Sequence, residues 1–345
     1  MGKISLRHRI GRKGLKTYSL RLAVQSGFAI LIMLIGLEFA RFVHAIETGV
    51  SPLPSRPSGV EGFLPISGLM GVLDWIYQGK LNSIHPAATM LFLIFTVSAL
   101  LLRKNFCSWI CPVGLISETL ARIGRRVFGR NFRPWRWLDE GLRSIKYLLL
   151  GFFAWAIFTM SADALREFIT SGYNRISDVK MYYFFAHLSS TSIVVLVVLT
   201  VGSVFINGFW CRYLCPYGAW LGIFSWTSPV KIRRNEASCT DCGLCDRVCM
   251  ARLPVSKKER IISPECTGCL DCVASCPSST ALTAGGKGRK IGVEHFAAGV
   301  FLVFMLGYLV ARVAGWWEGG VSESEYFQLH GVMESLDHLG QEYRP

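Results

Sequence analysis

Residues 239–277 read CTDCGLCDRVCMARLPVSKKERIISPECTGCLDCVASCP. Two runs of four cysteines, Cys239, Cys242, Cys245 and Cys249, then Cys266, Cys269, Cys272 and Cys276, repeat the spacing C-x2-C-x2-C-x3-C at an offset of 27 positions. Zinc ribbons and fingers separate their ligand pairs by a dozen or more residues, and a disulfide framework fits such dense packing equally badly. Three thiolates at three-residue steps let one loop wrap a cube of iron and sulfide. The stretch therefore predicts two [4Fe-4S] clusters.

Residues 236 to 280 resemble the bacterial two-cluster ferredoxin module, in which the fourth cysteine of each run ligates the other cluster. The resemblance implies Cys239, Cys242, Cys245 and Cys276 around cluster one, and Cys266, Cys269, Cys272 and Cys249 around cluster two. Pro277 follows the second run as that signature requires, whereas Met250 replaces the proline after the first.

The chain has 345 residues and twelve cysteines, and the other four form a second repeat. Residues 105–115 read NFCSWICPVGL and residues 209–219 read FWCRYLCPYGA, so Cys107 and Cys111 correspond to Cys211 and Cys215 at an offset of 104. An aromatic before the first cysteine, another between the two, a proline after the second and a glycine two further on recur in both copies. Such a match at one offset reads as an internal duplication.

Apolar stretches long enough to span a bilayer lie at about residues 22–46, 84–102, 146–165, 184–207 and 292–314. With 51 % hydrophobic residues, the composition favours a membrane protein over two soluble domains. Of the 37 Lys and Arg, 29 fall in residues 1–21, 103–146 and 211–290, which the positive-inside rule assigns to the cytoplasm. The net charge of +14 is thus mainly a topology signal with attraction to anionic lipid, and no nucleic-acid partner is expected. A signal peptide is rejected, because the first apolar run is about 25 residues long and carries Glu38 and Arg41.

The expected fold is mainly α: a polytopic membrane helical bundle of about five spans, arranged as two duplicated hairpins, with a small α+β ferredoxin-like module. The expected divisions are a basic cytoplasmic N-terminus (1–21), a duplicated transmembrane domain (22–230), a cytoplasmic two-cluster domain (231–290), a fifth span (291–314) and a periplasmic tail (315–345). Parallel copies place both C-x3-C-P motifs at the inner membrane face, where Cys107, Cys111, Cys211 and Cys215 can together ligate a third iron-sulfur cluster. The proline after each second cysteine is expected to end or kink its span. A reversible dithiol pair, a copper or zinc site, or partial sites completed by a partner are the alternatives.

Paired C-x3-C-P motifs followed by a double ferredoxin signature, over residues 20 to 290, resemble the NapH/NosR-type polytopic membrane iron-sulfur proteins. That resemblance implies electron transfer in the bacterial cytoplasmic membrane, between the quinone pool, cytoplasmic donors and a periplasmic cytochrome or other redox subunits. The fifth span and outer tail depart from the NapH-type core, and the periplasmic flavin domain of NosR-type proteins is absent from this sequence.

Glu38, Arg41 and His44 recur every three residues toward the outer end of span one, and Glu38 with His44 are candidate acceptors of quinol protons. Alternatively, Arg41 and Glu38 neutralise each other. His85 and His187, near the starts of spans two and four, are weighed as ligands of a b-type haem, against which His85 precedes Pro86, a good helix-start residue. Arg122, Arg125, Arg126, Arg130, Arg133 and Arg136 read as a lipid-facing inner loop. The acidic tail, with Glu318, Glu323, Glu325, Glu334, Asp337 and Glu342, reads as a solvated end or as a dock for a basic cytochrome. Two function classes follow: a quinol dehydrogenase or quinone-linked conduit, and an assembly factor that reduces a metal such as copper, or a thiol, on a partner.

Overall fold

The computed structural model describes residues 12–132, 134–286 and 289–333. Among the helices of the described residues are α1 (Arg12–Thr48), α2 (Pro65–Gln78), α3 (Pro86–Leu102), α4 (Pro112–Phe128), α5 (Arg136–Phe158), α6 (Ser177–Ala186), α7 (Ser190–Phe205), α8 (Pro216–Ser225), α9 (Val293–Val313) and α10 (Glu323–Gly331). Three are long and apolar enough to cross a bilayer, namely Lys16–Thr48 within α1, Trp137–Phe158 within α5, and α9. Taken as one span, the pair α6 and α7, bent by 75°, brings the number to four, and α3, with 17 residues, is a shorter apolar helix. Contiguous apolar side chains are exposed on these helices, among them Ile30, Met33 and Leu37 on α1, Leu148 and Phe152 on α5, and Leu302, Leu306 and Leu309 on α9. Such surfaces are unfavourable in water and match the acyl region of a bilayer.

Of the five expected spans, three or four are thus present by length and composition among the described residues, the second is represented by the shorter helix α3, and two boundaries have moved. The third begins before Lys146 and stops at Phe158, because Ser161 caps a separate helix by accepting from Ala164 N. The fourth is broken at His187, where α6 stops, and restarts at Ser189, whose Oγ accepts from Ser192 N at 3.1 Å.

The chain divides into two compact units. One comprises Met1–Ala29, Phe95–Leu150 and Val198–Phe304, the other Ile30–Ile94, Gly151–Val197 and Met305–Pro345. The first contains every cysteine. Its sheet has strands β1 (Lys231–Arg234), β2 (Arg260–Ile261) and β3 (Leu282–Gly285) in the order β2-β1-β3, all antiparallel. Ile232 pairs with Ile261 on one side and Ala284 on the other, and these three side chains are buried.

The second unit has a core of Phe39, Phe42, Val43, Ile46, Ile176, Val179 and Tyr326. Tyr326 belongs to α10, so this part of the expected outer tail is packed rather than solvated. A capping box at Ser322 and Glu325 starts the helix, and Glu325 pairs with Arg175. Glu334, Asp337 and Glu342 lie outside the described residues.

Candidate iron-sulfur site

Each C-x3-C-P loop is built by the same local rules. Cys111 N donates to Phe106 O at 2.8 Å and Cys215 N to Trp210 O at 3.0 Å, an i to i−5 closure that widens one helical turn around each cysteine pair. The second cysteine is extended and stands at the N-cap of the following helix, with φ −65° at Cys111 and −73° at Cys215. Pro112 and Pro216 then occupy the first helical position, where proline loses no hydrogen bond. The prolines therefore start α4 and α8; the preceding helices have already ended at Leu102 and Phe205.

Gly218 N donates to Cys215 Sγ at 3.3 Å, so a helix N-terminus faces the sulfur, an arrangement that favours an anion. The corresponding Gly114 has no room for a side chain, since a Cβ there would stand 2.1 Å from the Cys107 carbonyl oxygen. Gly114→Ala should therefore open the first loop, and iron bound by this quartet would be lost while the ferredoxin clusters stay in place. Iron counting on the purified variant checks this, and a full complement would refute the packing argument.

The four cysteines of the two loops sit close enough to influence one another's charge. Exclusion of water pushes all four thiols up, Cys111 to about 12. Thiols raised in this way are poor free nucleophiles, and a metal centre is what stabilises their deprotonated form. Among the described residues no three His, Cys, Asp or Glu side chains close tightly enough for a single ion, as zinc at about 2.3 Å from each sulfur requires. Four thiolates are the donor set of a four-iron cluster, so the chemistry of these residues suits such a group.

The copies have diverged in what they grip. In the first, Trp109 Nε1 donates to Gly268 O at 3.1 Å and Ser108 Oγ to Thr267 O at 2.8 Å. Both acceptors lie between Cys266 and Cys269. Trp109 is fully buried and packs near Phe296, with ring centroids 5.6 Å apart. In the second, Tyr213 Oη donates to Asp139 Oδ1 at 2.6 Å, and Arg212 binds the same carboxylate through Nε at 2.9 Å and Nη2 at 2.6 Å. One loop is thus anchored to the ferredoxin module and the other to α5.

Within the module, Cys249, Cys266, Cys269 and Cys272 line one cavity walled by apolar side chains such as Ile232, Leu253 and Ile261. This grouping places a cysteine of the first run with three of the second. In the first run, Cys245 is buried and Cys242 exposed. Arg21, 1 % exposed, reaches Glu118 through both terminal nitrogens at 2.9 and 2.8 Å and Asp271 Oδ2 at 3.2 Å. Arg21 Nη1 also approaches Met250 Sδ at 3.6 Å, so the residue replacing the expected proline takes part in this contact. Arg21, Glu118 and Asp271 were not singled out from the sequence, because the partners lie 97 and 250 positions from Arg21.

In the other unit, Glu38, Arg41 and His44 lie on the exposed side of α1. Arg41 and Glu38 form no ion pair among the described residues, and His44 instead stands 3.7 Å from Glu47. His85 and His187 are not brought together as an axial pair. His85 is buried, its Nδ1 3.2 Å from Glu61 Oε1 and its Nε2 2.7 Å from Asn174 O, whereas His187 is exposed and stacks on Tyr183 at 4.7 Å. Arg56 completes a buried polar network, bonding Glu61 at 2.9 Å and Asp178 at 2.7 Å. Sequence reading missed Arg56, Glu61 and Asp178. Buried charge was not legible in a loop between spans.

Of the basic stretch, Arg122 bonds Glu118 at 2.8 Å and Arg125 bonds Asn131 at 2.8 Å; Arg133 lies outside the described residues.

Comparison with known proteins agrees with this geometry. A family described as a 4Fe-4S binding domain matches twice, at residues 84–131 and 190–235, each match holding one C-x3-C-P motif, and a 4Fe-4S dicluster domain matches residues 231–277. YccM of Escherichia coli K12, provisionally described as an electron transport protein, is 43 % identical over 303 residues, covering 86 % of this chain and 85 % of YccM. The regulatory protein NosR of Pseudomonas aeruginosa is 29 % identical over 61 % of this chain and 29 % of its own. The ferredoxin-type protein NapH of Haemophilus influenzae is 26 % identical over 52 % of this chain and 61 % of its own. No solved structure matches. With duplicated cysteine loops, a dicluster module and apolar spans in one chain, this protein belongs to the ferredoxin-type membrane electron transport proteins.

Proposed function

We propose that the chain is a multi-pass electron conduit of the bacterial cytoplasmic membrane, a quinol dehydrogenase or quinone-linked subunit of a respiratory chain. Its N-terminus and ferredoxin module face the cytoplasm, as the distribution of Lys and Arg favours. Cluster one is held by Cys239, Cys242, Cys245 and Cys276, cluster two by Cys249, Cys266, Cys269 and Cys272, and a third by Cys107, Cys111, Cys211 and Cys215. When bound, these clusters supply one-electron redox steps. The observation that carries the reading is the direct contact of Ser108 and Trp109, inside the first C-x3-C loop, with Thr267 and Gly268, inside the loop of cluster two. Two cysteine sites that share hydrogen bonds are close neighbours, which electron transfer between them requires.

Quinone is the bilayer-soluble carrier such a chain would meet. Glu38 and His44, on the outward side of α1, are accessible to a lipid-dissolved quinol and are its candidate proton acceptors. A periplasmic cytochrome or another redox subunit would take the electrons onward, and a soluble cytoplasmic carrier would exchange them at cluster one, where Cys242 is exposed.

The test is anaerobic addition of a short-chain quinol to the protein in nanodiscs, with the clusters followed by EPR. Reduction in proportion to added quinol is expected. Clusters reduced by a soluble ferredoxin yet inert to quinol would remove the quinone arm and leave the conduit. Trp109→Phe removes the bond to Gly268, worth about 1 kcal/mol, and should slow passage of electrons between cluster two and the quartet with iron content unchanged. Rapid-freeze EPR measures that rate, and a wild-type rate would deny Trp109 its part in the contact.

A further inference from the structure

Arg103, Lys104 and Asn105 are three consecutive polar residues at 0, 2 and 0 % exposure, in the turn between α3 and the first cysteine loop. Two of them have structural partners. Arg103, held at φ 64°, a conformation rare for a residue with a Cβ, donates to Ser263 O at 2.7 Å and to Ile261 O at 3.3 Å. Asn105 Nδ2 donates to Ser98 Oγ at 2.7 Å and to Ser98 O at 3.2 Å.

Lys104 is directed at the cysteines. The position that a Cβ on Gly218 would occupy is 3.4 Å from Lys104 Nζ and 3.6 Å from Cys215 Sγ. Its electrostatic neighbours are Cys107, Glu265, Cys215 and Cys211. Glu265 is shared: it accepts from Lys146 Nζ at 2.6 Å and Tyr147 Oη at 2.8 Å and also lies in the field of Lys104, so a single carboxylate faces two ammonium groups. An ammonium withdrawn from water is strongly disfavoured without a compensating anion. Four thiolates around a four-iron core supply that anion, since the site carries net negative charge and gains one more unit on reduction.

We propose that Lys104 sets the reduction potential of the cluster held by the two C-x3-C loops, keeping it higher than the thiolate cage alone would allow. The proposal rests on the reading that this quartet holds a cluster. Attraction between a buried ammonium and the cluster grows when an electron arrives, and low local polarity magnifies the difference. Net charge around the cluster is one of the established controls of its potential. Lys104 acts as a tuning residue and is not itself a ligand.

The test is an EPR-monitored redox titration in nanodiscs of wild type, Lys104→Gln and Lys104→Arg, each with iron and sulfide counted. Lys104→Gln should keep about twelve irons while the ratio of reduced to oxidised quartet cluster at a fixed potential falls at least tenfold, which is about 59 mV for one electron. Lys104→Arg should stay within that interval of wild type, and the ferredoxin clusters should shift less in both variants. A fully loaded Lys104→Gln protein with an unmoved midpoint overturns the proposal. Loss of about four irons from the Gln variant but not from the Arg variant supports the charge; loss from both overturns it. Wild-type protein with only about eight irons defeats the cluster reading itself, a result visible before any potential is measured.

Discussion

Replacing Cys107 and Cys211 together by serine should lower the iron content of anaerobically purified protein from about twelve to about eight per chain. Each substitution removes the first thiolate of one loop, and so two of the four sulfurs proposed as ligands of the third cluster. The ferredoxin module has all eight of its own cysteines in residues 239–276, and its β2-β1-β3 sheet is paired independently of these loops. Its two EPR signals should persist. A count near eight in both proteins would mean that the duplicated loops hold no iron, and would leave the chain a ferredoxin tethered to the membrane. The double variant is more informative than either single one, because a lone serine can still ligate through oxygen or leave a three-iron remnant.

The second large effect is on stability. Glu118→Ala should destabilise the protein by about 3–5 kcal/mol, because it removes the two-pronged partner of a buried guanidinium. Arg21 is 1 % exposed and Glu118 6 %, and after the change Asp271, at 3.2 Å, is the remaining carboxylate bonded to the guanidinium among the described residues. Since Asp271 sits between Cys269 and Cys272, the shift should also disturb cluster two. Thermal unfolding in nanodiscs, read beside the cluster EPR signal, measures both. Arg122→Ala removes a more exposed partner of the same carboxylate, 23 % accessible, and should cost about 1 kcal/mol or less. Equal losses from the two variants would contradict the assignment of Arg21 and Glu118 as the buried centre of the network.

Legibility in the sequence followed the range of the interaction. The C-x3-C-P-x-G repeat could be read directly, because every part of it acts within eight residues: a widened turn, an N-cap, a proline at the first helical position and a glycine where a Cβ would strike the Cys107 carbonyl. The apolar helices were legible in place because apolar length is a local property. Their ends were not, since Ser161 and Ser189 restart helices through single side-chain caps. The histidines show the opposite limit. His85 and His187 occupy similar positions in the two halves, yet one is buried against Glu61 and the other stacks in the open on Tyr183.

Covalent spacing alone determined the cofactor class and the membrane habit: thiolates three residues apart can wrap one iron-sulfur cube, and long apolar runs cannot remain in water. Tertiary structure alone decided that the first loop, through Ser108 and Trp109, grips the cluster-two loop while the second grips Asp139. It also decided that Arg21 and Lys104, two of 37 basic residues, are buried beside cysteine sites instead of lying exposed. The reason is physical. A ligand loop is specified by bond geometry over a few residues, whereas the position of a buried charge depends on partners up to 250 positions away that only the packed chain brings together.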